Sequence, residues 1–173
     1  ALRWFASYLT GRSQCVAIGT EVSSFSKITC GVPQGSILGP LLFILYINDI
    51  VKSSNILKFK MFADDTNLFH SDSNLDQLVT SMNAELVHVS NWLKITKLSL
   101  NVKKSHFICF HSRQKKIVDK IKIKINDSEI DRVRCTKFLG IVINENLTWT
   151  DHIIAVKNKL SKNIGVIRKL SHI

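Results

Sequence analysis

Proline and glycine are scarce, with two and seven copies among 173 residues. Long flexible linkers need them, so the chain reads as one domain with a core of its own. Cysteine is confined to positions 15, 30, 109 and 135. No CxxC pair is present, and no histidine stands at metal-ligand spacing from a cysteine, which excludes a zinc finger or ribbon. Each cysteine lies in an apolar or strand-like run, so reduced, buried thiols are expected, as in an intracellular protein. Long hydrophobic runs are missing too. The most apolar stretch, Ile37 to Val51, is interrupted by Gly39-Pro40 and Asn48-Asp49. It is too short to span a bilayer and reads as a buried helix, so no membrane partner is expected. No signal peptide opens the sequence. It begins at Ala1 inside a helical pattern with no cap, which predicts a cut through a longer polypeptide.

Acidic residues thin out along the chain. Residues 1–97 carry 8 basic and 7 acidic side chains, whereas residues 98–173 carry 16 and 6. Of the net charge of +11, the second part holds +10. Such asymmetry suits a polyanion partner, or alternatively a solvated lysine-rich surface.

What is present has clear periodicity. A helix ends near Thr10-Gly11. Gln14 to Thr20 and Phe25 to Cys30 are short β-type runs around the polar segment Thr20 to Ser24, which predicts a hairpin. Gly31 to Ser36 is a loop, and a helix starts near Leu38 to Pro40, with Pro40 in its first turn. Leu75 to Leu93 repeats apolar residues at helical spacing (Leu75, Leu78, Val79, Met82, Leu86, Val89, Trp92, Leu93) and should cover a sheet. His88 on this helix reads as a surface or edge residue. Ser105 to His111, Ile117 to Ile125 and Lys137 to Ile143 are β-type, and Ile121 to Ile125 alternates apolar with basic. Thr150-Asp151 should cap a helix to about Leu170, apolar along Ile153, Val156, Leu160, Ile164 and Ile167 and basic elsewhere. The element order is α+β.

Lys58 to Ala63 and Thr66 to His70 are β-prone runs, and Asp64-Asp65 stands between them as a two-residue turn. Adjacent carboxylates in an apolar hairpin carry a cost in desolvation and mutual repulsion. One reading is a plain β-turn, since aspartate favours turns. The other is a pair of hard oxygen ligands offered to Mg²⁺, which takes one or two carboxylates plus substrate phosphates.

The wider pattern resembles the reverse transcriptases of non-LTR, LINE-like retrotransposons. The resemblance is carried by Phe62-Ala63-Asp64-Asp65 and by Gly31-Val32-Pro33-Gln34-Gly35-Ser36, continued as Ile37 to Phe43. Leu98 to Ser105, Phe138-Leu139-Gly140 and Leu147 to Ile153 follow in order, and Trp4-Phe5, Tyr8-Leu9 and Gly11-Arg12 precede. It spans essentially the whole chain. It implies a partial palm, an antiparallel sheet backed by helices, over residues 1–145 and the start of a helical thumb over 146–173.

The resemblance also implies an activity: RNA-directed DNA synthesis by a mobile element, with dNMP transferred to a primer 3′-hydroxyl. It implies two Mg²⁺ ions in the complete enzyme, with Mn²⁺ as a substitute, and an RNA template, a DNA primer and dNTP as partners. Cytoplasm and nucleus are the compartments it implies. Asp64 is the direct metal ligand and Asp65 the second carboxylate, with Phe62 packed beneath them. Gly31, Pro33, Gln34, Gly35 and Ser36 face template and nucleotide. Lys104 assists the leaving pyrophosphate, with Lys103 one register away and a solvated surface lysine as the alternative. Phe138, Leu139 and Gly140 grip the primer, and Asn101 orders the loop before Lys104. The family's first catalytic aspartate belongs on a strand ahead of Ala1. Glu21, the one acidic residue before the Gln-Gly loop, is misplaced for it, and Asp49 matches a non-catalytic position. The isolated chain is therefore expected not to polymerise. A non-catalytic nucleic-acid-binding remnant and an intron maturase-like enzyme are the other readings.

Overall fold

The computed structural model describes residues 1–115, 121–126 and 128–170. They divide into two units, Ala1–Lys52 with Phe59–Asn67, and Ser53–Lys58 with Leu68 onward. Helices and small sheets are mixed through the sequence, in keeping with the α+β reading.

In the first unit, α1 (Leu2–Leu9) stops where the Thr10 hydroxyl and N–H both donate to Ala6 O, at 2.6 and 3.0 Å. Gly11 then takes φ +69, a left-handed turn that glycine adopts at little cost. Strands β1 (Ser13–Gln14), β2 (Ala17–Ile18), β3 (Glu21–Val22) and β4 (Ser26–Lys27) make a nested hairpin. In it β1 pairs with β4 and β2 with β3, both antiparallel. Its tip is Gly19-Thr20, not the expected polar segment Thr20 to Ser24. Gly19 supplies the positive φ of +61, and Glu21-Val22 continue as strand. Ser23 closes the gap between the two ladders: its Oγ accepts from Val16 N–H and its N–H donates to Val16 O.

Helix α2 (Leu38–Ile47) runs into a 3₁₀ turn, Asn48–Ser53. Pro40 sits in its first turn, where no intrahelical N–H is lost. The stretch is not buried all round as expected. Only Gly39, Ile47 and Ile50 are covered, while Leu41, Ile44, Leu45 and Tyr46 are at least half exposed. A helix apolar on every side needs neighbours on every side, and the two-residue strands of this unit, all exposed, provide few. Strands β5 (Lys58–Phe62) and β6 (Asp65–Phe69) then pair as a hairpin, most of which belongs to this unit.

In the second unit, α3 (Leu75–Ile95) is capped by Asn74, whose Oδ1 accepts from Asp76 N–H at 2.8 Å and Gln77 N–H at 3.3 Å. Strands β7 (His106–Phe107), β8 (Ile123–Ile125) and β9 (Ser128–Arg132) follow it, in the order β7-β9-β8. Leu86 from the helix packs with Ile123, Ile125 and Ile130, and Val79, Met82 and Phe107 close around them. Each such side chain contributes about 1.5–3 kcal/mol on burial. Lys122 and Lys124 face outward, as the alternation requires. Asn83 reinforces the contact by donating to Lys122 O at 3.0 Å and accepting from Lys124 N–H at 2.9 Å. His88 is exposed. Residues 117–120 of the run Ile117 to Ile125 lie outside the described residues.

The run Lys137 to Ile143 is two strands, β10 (Cys135–Phe138) and β11 (Ile141–Asn144), before α4 (Thr150–Leu170). The expected antiparallel sheet is instead five small sheets among the described residues, and β7 pairs with β9 in parallel. The apolar side of α4 is exposed throughout, with Ile153, Leu160, Ile164 and Ile167 each more than half accessible. Three of the four cysteines, Cys15, Cys30 and Cys135, are exposed rather than buried, because they sit on or beside short, thinly packed strands; all four thiols are free. No helix among the described residues is long and apolar enough to cross a membrane.

Candidate active site

The hairpin β5–β6 turns at Ala63-Asp64, one residue earlier than the pattern predicts, and Asp65 is the first residue of β6. Ala63 takes φ +52. A side chain there costs about 1–2 kcal/mol, a strain typical of turns that present functional groups. Asp64 and Asp65 are both exposed, and among the described residues no hydrogen bond or ion pair engages either carboxylate. Phe62 does not pack beneath them, being 61% exposed. Strand alternation explains this: Phe59 and Met61 face inward, and Phe62 shares the outer face with Lys58 and Lys60. Asn67 Nδ2 braces the ladder by donating to Lys60 O at 3.5 Å.

The Gln-Gly loop lies in the same unit. Gly31 and Gly35 take φ +79 and +82, which fits glycine at both positions. Gln34 and Gly35 are exposed, whereas Pro33 and Ser36 are half-buried. Ser36 Oγ donates to Pro33 O at 2.7 Å and accepts from Tyr8 Oη at 2.7 Å and Gly39 N–H at 3.0 Å. Arg12 donates to Gly31 O and, through Nε, to Leu9 O at 3.2 Å. A Cβ at Gly39 would stand 3.0 Å from Ser36 Oγ and 3.2 Å from Pro33 O. Gly39, Tyr8 and Arg12 are thus working parts of the loop that residue pattern alone does not assign to it. The one signal for Gly39 is a glycine at the second position of a helix that begins directly after a loop.

The remaining predicted residues belong to the second unit. Lys104 ends a 3₁₀ turn, Val102–Lys104, held by its N–H and by Ser105 Oγ, both donating to Asn101 O at 3.1 Å. Lys103 and Lys104 are exposed. Phe138, Leu139 and Gly140 form the β10–β11 turn, with Phe138 opposite Ile141. Leu139 and Gly140 both have positive φ, +47 and +89, the geometry of a type I′ hairpin. Leu139 is half exposed at its tip. His106 Nε2 hydrogen-bonds Thr136 Oγ1 at 2.6 Å, tying β7 to this hairpin.

Two further devices were illegible as residue types. Asn144 Oδ1 accepts from Thr148 N–H, and its Nδ2 donates to Thr148 Oγ1 and to Asp151 Oδ2 at 2.7 Å, fixing the first turn of α4 to β11. The expected Thr150-Asp151 cap is thus replaced by an asparagine clamp that engages Asp151. Below the hairpin, Arg132 Nη2 donates to Glu145 Oε2 at 2.9 Å, with His111 Nε2 3.7 Å from the same oxygen. Burial pushes the nearby Cys109 thiol pKa up; Arg132 opposes the rise and Glu145 adds to it.

Two hard oxygen donors, unneutralised and on a turn, fit part of a divalent-cation site. Among the described residues no three of His, Cys, Asp and Glu converge to complete one. A cavity of about 820 Å³ beside α3 and β8 is lined by none of the predicted site residues.

These loops, in this order, match the reverse transcriptase (RNA-dependent DNA polymerase) family over residues 2–143, and the chain belongs to that family. Within the family the likeness is to non-LTR retrotransposon enzymes. The chain is 26% identical to a probable RNA-directed DNA polymerase from transposon X-element of Drosophila melanogaster, over 92% of the chain and 18% of the relative. It is 25% identical to the RNA-directed DNA polymerase from mobile element jockey of the same species, again over 92% and 18%. A Pol polyprotein from the type-1 retrotransposable element R1 2 of Nasonia vitripennis is 22% identical over 81% of the chain and 35% of the relative. The chain therefore spans about a fifth of the length of the first two. No solved structure matches it.

Proposed function

We propose that the chain is a fragment of an RNA-directed DNA polymerase of a mobile element, with a partial palm at residues 1–145 and the start of the thumb at 146–173. The observation that carries this is the uncompensated Asp64-Asp65 pair on a strained turn, in the same chain as the braced Gln34-Gly35 loop. Asp64 and Asp65 would hold Mg²⁺. When bound, the metal stabilises charge on the transferring phosphate and favours ionisation of the attacking 3′-hydroxyl. Gly31, Pro33, Gln34, Gly35 and Ser36 present a platform to template and dNTP, where glycine admits close backbone approach and the Gln34 amide bonds without adding charge. Phe138, Leu139 and Gly140 hold the primer end by packing, since positioning dominates such transfers. Lys104 neutralises the leaving pyrophosphate. The lysines of α4 follow the duplex backbone without reading its sequence.

Binding of an oligo(rA)·oligo(dT) hybrid, followed by anisotropy across a salt series, tests this reading. Affinity should fall linearly in log–log form, and Lys157→Gln with Lys162→Gln should flatten the slope by about one unit for each phosphate no longer neutralised. A salt-independent affinity would sink it. Two carboxylates leave a two-metal site incomplete, so primer extension with Mg²⁺ should be absent. Extension by the chain but not by Asp64→Ala would overturn that expectation.

A further inference from the structure

The Ser36 hydroxyl has one proton and two lone pairs, and all three are used. The proton goes to Pro33 O, and the lone pairs take Tyr8 Oη–H and Gly39 N–H. A saturated hydroxyl has one orientation, and Tyr8 is the partner that comes from outside the loop and its helix. Arg12, four residues on from Tyr8, takes Gly31 O at the other end of the loop. The loop is thus fastened at Gly31, Pro33, Ser36 and Gly39, and Gln34 and Gly35 are the exposed span between fixed points. Tyr8 has its own support, for its ring stacks on Trp4 with centroids 5.4 Å apart and planes 8° from parallel. Gly39 suits the arrangement, since a Cβ there would crowd Ser36 Oγ and Pro33 O and one of them would have to shift.

The geometry points to Tyr8 as a positioning residue: through Ser36 it sets the pose in which Gln34 and Gly35 meet template and nucleotide, with Arg12 as the second brace. This rests on reading the loop as the nucleotide and template platform. Tyr8 touches no reacting group. Its effect passes through the Ser36 hydroxyl, so losing only its oxygen should loosen the loop without unfolding the unit.

Two measurements on the 173-residue chain test this separately. Hydrogen exchange of residues 32–39 in Tyr8→Phe should accelerate about two- to twelvefold, the worth of one hydrogen bond, while exchange in the β10–β11 hairpin is unchanged. Affinity for the oligo(rA)·oligo(dT) hybrid should weaken in Tyr8→Phe and in Gln34→Ala. The losses should be less than additive in the double variant, because Tyr8 acts through the pose of Gln34 and Gly35. Unchanged exchange in Tyr8→Phe overturns the brace, whatever binding does. Faster exchange with additive losses overturns the positioning role and leaves the platform intact. Faster exchange with binding indifferent to Gln34→Ala supports the brace and removes the platform reading on which its purpose depends.

Discussion

The unit that carries Asp64, Asp65 and the Gln-Gly loop buries Gly39, Ile47 and Ile50, whereas the other unit buries Leu86, Ile123, Ile125 and Ile130 between a long helix and a sheet. The first holds its candidate residues by directional means: a left-handed alanine, two left-handed glycines and a serine with every hydrogen-bonding position filled. The second holds α3 against β8 and β9 through an apolar core. Directional bonds fix a loop to fractions of an ångström but contribute about 1 kcal/mol each net, while a buried leucine contributes two or three times that. Geometry and stability are therefore supplied by different residues in this chain, and substitutions should separate them.

The largest effect belongs to the apolar core. Leu86→Ala should destabilise the chain by about 2–5 kcal/mol in denaturant unfolding. A loss under about 1 kcal/mol would mean that α3 and β8 do not form a core. Gly39→Ala comes next, at about 1–3 kcal/mol, because its Cβ would stand 3.2 Å from the backbone carbonyl of Pro33, which would have to shift. Its mark should be rapid exchange across 32–39, where Leu86→Ala raises exchange in α3 and β8. Ala63→Gly should act in the opposite direction. Relief of the positive φ, about 1–2 kcal/mol, outweighs the roughly 0.4–1 kcal/mol of added freedom in the unfolded chain. A small gain in stability follows, and any loss would place the strain elsewhere.

The smallest effect concerns Cys109. Its thiol pKa is raised by burial, so the folded state favours the neutral form. That stabilisation is fully present below the ordinary thiol pKa and is lost as pH rises through the raised value. The pH midpoint for its alkylation should therefore be higher in the folded chain than in urea. Equal midpoints would contradict the burial.

Helix extents were largely legible in the sequence, since α3 and α4 follow a 3.6-residue apolar period and α2 starts where Gly39-Pro40 permits. Turn placement was less so. Gly19 marked a tip that the polar run around it concealed, and Ala63 holds a conformation that nothing in its residue type announces. The exposure of Phe62 was readable, since it shares a strand face with Lys58 and Lys60, but its place in a motif suggested packing. Parallel pairing of β7 with β9 depends on residues twenty or more positions apart, which local pattern does not encode. Of the candidate site, Asp64, Asp65, Gln34 and Gly35 were found as motif residues. Tyr8, Arg12, Gly39 and Asn144 were not assigned their roles, because those roles are hydrogen bonds and close approaches that exist only in the folded chain.

The chemistry proposed for this chain turns on whether the Ala63-Asp64-Asp65 tip binds a divalent cation. Mn²⁺ titrated into the isotopically labelled chain should broaden amide resonances of residues 62–67 first. Excess Mg²⁺ should reverse the broadening, and Asp64→Ala with Asp65→Ala should abolish it. Broadening that spares 62–67, or that survives both substitutions, would contradict the assignment of this turn as one side of a metal site.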